Sequence, residues 1–167
     1  MNLQFYLEKL YESEEFKDFI VENPKAYLCS AFFAIDYEKS NNQQHLDFYV
    51  PSLKKIFSFK LEEGMKTEPL ELYGGEVPKK IELDFDFDFD EIEKMIVHRM
   101  EKENVKNKMQ KIMLSLQKVG NKELLTATVF VSNLGMLKIN IEPFSKKIID
   151  FEKKSFFDML KFVGKKK

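Results

Sequence analysis

The chain has little of the chemistry on which small active centres are usually built: one cysteine, Cys29, and two histidines, His45 and His98. A lone cysteine excludes an internal disulfide and any multi-thiolate zinc or iron-sulfur centre, and two histidines leave little for a transition-metal cluster. No cofactor is expected. Arg99 is the only arginine among 27 basic residues. Lysine offers point charge without the planar fork that clamps phosphate or reads guanine, so sequence-specific nucleic-acid binding is not expected. No apolar run approaches the ~20 residues of a membrane helix. Residues 1–8 contain no basic leader, apolar core or small-residue cleavage site. No membrane association is expected, and a cytoplasmic location suits the free thiol.

The 167 residues are 44% hydrophobic and 33% charged. That is enough for one domain, or two small lobes, around an ordinary core. The net charge is -1, yet residues 1–91 hold 20 Asp and Glu against 10 Lys, while residues 92–167 hold 8 against 17 Lys and Arg. Such polarity suits docking of the halves on one another, head-to-tail self-association, or a polyanion on the basic half.

Leu3, Tyr6, Leu7 and Leu10 fall at helical spacing. Ser13 can cap a further helical stretch carrying Glu14, Glu15, Phe16, Phe19 and Ile20, which Asn23-Pro24 ends. The two stretches read as one bent helix or two. Residues 27–37 are apolar on both alternating sets and read as a central strand covered on both faces. Leu46, Phe48 and Val50 mark a second strand, and Phe57, Phe59 and Leu61 a third. Residues 62–78 contain Gly64, Pro69, Gly74, Gly75 and Pro78 and read as a long connection.

Ile81, Leu83, Phe85, Phe87 and Phe89 alternate strictly with acids, which predicts another strand. Asp88 with Glu91 suits a capping box, opening a helix through Ile92, Met95, Ile96 and Met100. Four strands follow, marked by Ile112-Leu114-Leu116, Leu125-Ala127-Val129-Val131, Leu137-Ile139-Ile141, and Ile149 with Phe151. Ser155 and Asp158 suit a cap for a last short helix through Phe156, Phe157, Leu160 and Val163. Lys165, Lys166 and Lys167 read as a solvated end. Helix followed by meander thus occurs twice, in an acidic lobe over 1–80 and a basic strand-helix-meander-helix lobe over 81–167. The class is α+β: antiparallel sheet with helices packed on one face.

Among candidate sites, Asp84, Asp86, Asp88 and Asp90 conflict with strand preference and form the most conspicuous local feature. They read as a solvated, edge-protecting face that also supplies a helix cap, or as an acidic docking patch; same-face spacing of ~6.6 Å lets at most two share a cation. Cys29 lies in the most apolar strand and would need His45 or His98 beside it to act as a nucleophile. Both histidines read as surface residues. Tyr73-Gly74-Gly75 lacks the lysine and Ser/Thr of a phosphate loop and reads as a turn. Met95, Met100, Met109, Met113 and Met136 read as core, or as an adaptable contact surface where exposed.

Thr128-Val129-Phe130-Val131, Leu137-Lys138-Ile139-Asn140-Ile141-Glu142 and Ser145-Lys146-Lys147-Ile148-Ile149-Asp150-Phe151-Glu152 give the second half a resemblance to PepSY-like modules over about 60 residues. Ser145-Lys146-Lys147 stands where that family carries a glycine-containing turn. The resemblance implies a small helix-plus-sheet module without catalytic residues that binds or inhibits a protein partner such as a peptidase. The residues and the resemblance together predict a non-enzymatic protein acting on a macromolecule or on itself, in a binding, regulatory or inhibitory capacity. The alternative is a small-ligand protein or enzyme with its pocket between the lobes.

Overall fold

The computed structural model describes residues 1–155. Two helices open the chain, α1 (Leu3–Tyr11) and α2 (Glu14–Glu22). They are separate because Ser13 stops one and starts the other: its Oγ donates to the Leu10 carbonyl at 2.6 Å and accepts from the Phe16 amide at 3.3 Å. Four strands follow, β1 (Tyr27–Asp36), β2 (Gln43–Val50), β3 (Lys55–Lys60) and β4 (Lys66–Leu70). A third helix, α3 (Phe89–Lys102), precedes β5 (Met109–Val119), β6 (Lys122–Val131), β7 (Gly135–Glu142) and β8 (Lys147–Ser155).

All eight strands form one antiparallel sheet in the order β4-β3-β2-β1-β5-β6-β7-β8. Each meander therefore runs outward from the centre, where β1 pairs β5 from Ser30 opposite Gln117 to Asp36 opposite Lys111. The fold is α+β, with the helices against one face of the sheet. Leu7 and Leu10 of α1, Phe16 of α2 and Ile92, Ile96 and Met100 of α3 share a core with Phe33, Phe59, Leu114, Ala127 and Ile139. Burial of this continuous apolar layer is the main stabilising term, and none of the helices is long enough to stand well alone. Lys146 with Glu91, at 3.2 Å, is the one ion pair that crosses between residues 1–91 and 92–167 among the described residues. The β1–β5 ladder and the common core join the halves, rather than their opposite charges.

Three departures from the sequence expectation have physical causes. The connection over residues 62–78 contains β4, whose Lys66, Glu68 and Pro69 break apolar alternation because an edge strand is kept polar. Residues 81–87 are extended but belong to no strand. With β1 and β5 already paired to each other, the centre of the sheet is closed to them, and they cross toward the helices instead. The Ile81 amide donates to the Leu28 carbonyl and the Leu3 amide to the Phe87 carbonyl, both at 3.0 Å. Their alternation buries Ile81 and Phe87 and turns the acids outward. Thirdly, β1 is covered by helices on one face only. A bulge between Leu28 and Ser30 moves Leu28 onto the same face as Ala31 and Phe33. A similar slip in β8 pairs Ile148, not Ile149, with Ile141, and leaves Ile149 61% exposed. The last helix expected beyond Ser155, and the lysine end, lie outside the described residues.

Candidate functional site

Strand alternation that sends one set of side chains to the helices sends the other to the uncovered face, so the cross-strand register decides which polar groups meet there. One row runs Glu68, Ser58, Asp47, Ser30, Gln117 across β4, β3, β2, β1 and β5. The Ser30 hydroxyl donates to Asp47 Oδ2 at 2.6 Å. Asp47 Oδ1 is shielded from solvent and has no hydrogen-bond partner. Ser58 is the buried polar residue of this row, 2% exposed.

Asp47, Ser30 and Gln117 of this row floor a concavity of about 770 Å³ at the junction of the two meanders. One wall is the β5–β6 turn, residues 117–120. The other is the segment 70–79 that leaves β4 and crosses beneath the sheet. Two contacts hold that segment in place: Tyr27 donates from its hydroxyl to the Pro78 carbonyl at 2.6 Å, and Lys79 Nζ donates to the Gly120 carbonyl at 2.6 Å. Ile56, Leu70, Leu72 and Val77 supply apolar patches to walls that also carry Glu71, Glu76, Lys79 and Lys118. A second, smaller hollow of about 430 Å³ shares Ser30, Asp47, Leu70 and Gln117 and reaches His45, Ser115 and Lys60. Beyond it the open face carries half-buried Phe32, Met113, Phe130 and Met136.

Cys29 is the extra residue of the β1 bulge. It is 4% exposed, and its thiol donates to the Asp47 carbonyl at 3.4 Å. Burial, then the charge of Asp47, pushes the thiol up to about 12, so it is a poor nucleophile at neutral pH. His45 is not beside it. Its Nε2 lies 2.6 Å from Glu62 Oε1 and its ring packs on Phe32. Burial pushes the Glu62 carboxyl up, but hydrogen bonds from the Gln44 amide, its own amide and His45 outweigh it and hold the group below the usual range. His98 is exposed on α3. Arg99 pairs with Glu103 at 3.0 Å and lies over the Phe151 ring at 5.4 Å, which ties α3 to β8.

The four ladder aspartates do different things. Asp86 accepts from the Asn2 side chain at 2.8 Å and the Gln4 amide at 3.1 Å, fastening the start of α1. Asp88 caps α3, accepting from the amides of Asp90 and Glu91 at 2.8 and 3.3 Å, and lies 3.7 Å from the N-terminal ammonium. The capping box is half formed, because Glu91 turns to Lys146 instead of reaching back. Asp84 and Asp90 stay exposed. Among the described residues no cluster of three or more His, Cys, Asp or Glu is arranged to hold a metal ion. Tyr73-Gly74-Gly75 is a short 3-10 turn in the wall segment, with Gly74 at φ 78. Met100 is core, Met95 and Met109 pack against it, and Met113 and Met136 are half-buried on the open face.

Sequence reasoning missed Asp47, Ser30, Ser58 and Gln117. They are scattered single polar residues on four strands, and no spacing along the chain connects them.

No family model matches the chain, and no curated protein matches it. Among solved structures, the fold is similar to the crystal structure of a "putative lipoprotein" from Clostridium difficile 630, at a TM-score of 0.56 and 8% identity, covering 84% of this chain and 91% of that one. At that identity the likeness concerns the fold alone. No helix among the described residues is long and apolar enough to cross a membrane. Residues 128–131 fall in β6, 137–142 in β7, and 145–152 in the turn before β8 and in β8.

Proposed function

We propose that this protein is a non-enzymatic binding module that holds a protein partner against the sheet face its helices leave uncovered, in a regulatory or inhibitory capacity. The observation that carries this reading is the asymmetry of the sheet: one face is sealed by three helices, and the other presents half-buried Phe32, Met113, Phe130 and Met136 among hydroxyl, amide and lysine side chains. Partly buried aromatic and methionine side chains set among hydrogen-bonding groups are the composition of a protein interface. The inert thiol and the engagement of His45 with Glu62 support a role without bond-breaking chemistry. The PepSY-like stretch points to the same role.

The test is quantitative capture of partners from the source cell's extract by three immobilised forms: the native chain, Met113→Lys with Phe130→Glu, and Asp84→Lys. A partner lost with the double variant and kept with Asp84→Lys is expected. Capture unchanged by the double variant refutes the reading, and loss confined to Asp84→Lys moves the contact surface to the acidic segment.

A second reading has its own support. The concavity at the meander junction has a tethered wall and is lined by Asp47, whose shielded Oδ1 has no hydrogen-bond partner, features that suit a small-ligand pocket.

A further inference from the structure

We propose that the concavity beneath residues 70–79 binds a primary ammonium group carried on an apolar chain; this rests on the small-ligand reading above. The charge around the hollow points to a cation. Asp47, Glu71 and Glu76 line it against Lys79 and Lys118. Lys79 is held in the wall on the Gly120 carbonyl at 2.6 Å, and Lys118 pairs with Glu123 at 3.6 Å, outside the hollow, which leaves three lining carboxylates against one lysine without an acidic partner. Among the described residues no lysine, arginine or histidine nitrogen lies within ion-pair distance of Asp47. An anionic ligand would therefore meet a carboxylate surplus, while a cation meets a carboxylate that has no counter-ion.

The hydrogen bonding selects the kind of cation. Asp47 Oδ2 already takes the Ser30 hydroxyl, and Oδ1 has no donor. A carboxylate oxygen removed from water and left without a donor is unfavourable, so a ligand that supplies one gains affinity there. The terminal torsion of an aspartate is broad and roughly two-fold. A small rotation can thus turn Oδ1 toward the hollow while Ser30 follows on the other oxygen. A quaternary ammonium brings charge without a donor. A primary ammonium brings three, enough for Asp47 and for the Gln117 side chain in the same row. The apolar patches at Ile56, Leu70, Leu72 and Val77 then suit a methylene chain instead of a second polar group.

The proposal is tested on the full chain by titrating n-hexylammonium, n-hexanol and hexyltrimethylammonium while following backbone amide resonances. Hexylammonium is expected to shift the amides of Ser30, Asp47, Val77 and Gln117 and to bind about tenfold or more tighter than either control, the range of one charge-assisted hydrogen bond. Asp47→Asn should lose that factor. Val77→Lys, on a 61% exposed residue of the wall, should weaken hexanol only through the lost apolar contact but hexylammonium also through the added like charge, so the preference for hexylammonium over hexanol should shrink, which carries the test if Asp47→Asn is unstable. Equal binding of hexylammonium and hexanol overturns the ammonium proposal and leaves the pocket standing. Absence of binding by all three overturns both.

Discussion

Phe59 offers the sharpest test of how the N-terminal meander is held. The residue is fully buried, and its ring packs against Phe16 at 5.4 Å, Phe19 at 5.0 Å and Phe48 at 5.8 Å. With Phe48 and Phe57 it forms the aromatic patch of the sheet on which α2 packs. Replacing Phe59 by alanine removes a fully buried ring and leaves three aromatic neighbours without their common partner, a loss of ~3–5 kcal/mol. Set against the ~5–15 kcal/mol of a typical domain, the variant should fold but with a sharply reduced margin. With a urea slope of ~2 kcal/mol per molar, its midpoint should fall by about 2 M, read by circular dichroism. Hydrogen exchange adds a local signature. At nine residues α2 is too short to persist alone, so its amides should lose protection before those of α3, whose core contacts lie elsewhere. Phe144→Ala, at a residue 68% exposed, is the control and should change stability by less than ~0.5 kcal/mol. A loss below ~1 kcal/mol for Phe59→Ala, or α2 protection equal to the native chain's, would refute the argument that this aromatic cluster anchors the helix.

Gly135→Ala should destabilise by ~1–3 kcal/mol, because the new methyl would lie 2.6 Å from Val131 Cγ2 across the β6–β7 pair. Adding Val131→Ala should recover part of that cost in a denaturation double-mutant cycle, and strict additivity would count against the clash. Cys29 should resist iodoacetamide at pH 7.5 in the native chain and react readily in urea; rapid native labelling, followed by mass, contradicts a thiol pushed up to about 12. The Glu62 carboxyl is held below its unfolded value of ~4.3, so it contributes stability above that pH which is lost as pH falls through the folded value. Acid titration of stability should therefore show a shallower decline in Glu62→Gln than in the native chain, together with lower stability at pH 7. Parallel curves would refute this assignment.

Local periodicity determined most of the secondary structure. Leu3, Leu7 and Leu10 are buried at the spacing that marks α1, Ser13 caps α2, Asp88 caps α3, and the alternations through Ile112, Leu125 and Leu137 are strands. These features are legible because each needs only neighbours within a few residues. The segment at residues 81–87 shows where that logic stops. Its period of two is as clean as any in the chain, yet whether an extended segment joins a sheet depends on whether a ladder is open to it, and β1 and β5 had closed the centre. β4 was hidden for the converse reason: an edge strand with Lys66 and Glu68 turned outward has no apolar face to announce it.

The candidate site was not legible at all. Ser30, Asp47, Ser58 and Gln117 are ordinary polar positions in four strands, and only the register of three antiparallel pairings sets them side by side. Sequence by itself determined which residues face apart along each strand, since that follows from backbone geometry alone. Tertiary structure decided which strands are neighbours, and with them which carboxylate oxygen is left without a partner, because that choice is made by burial of the whole sheet against its helices.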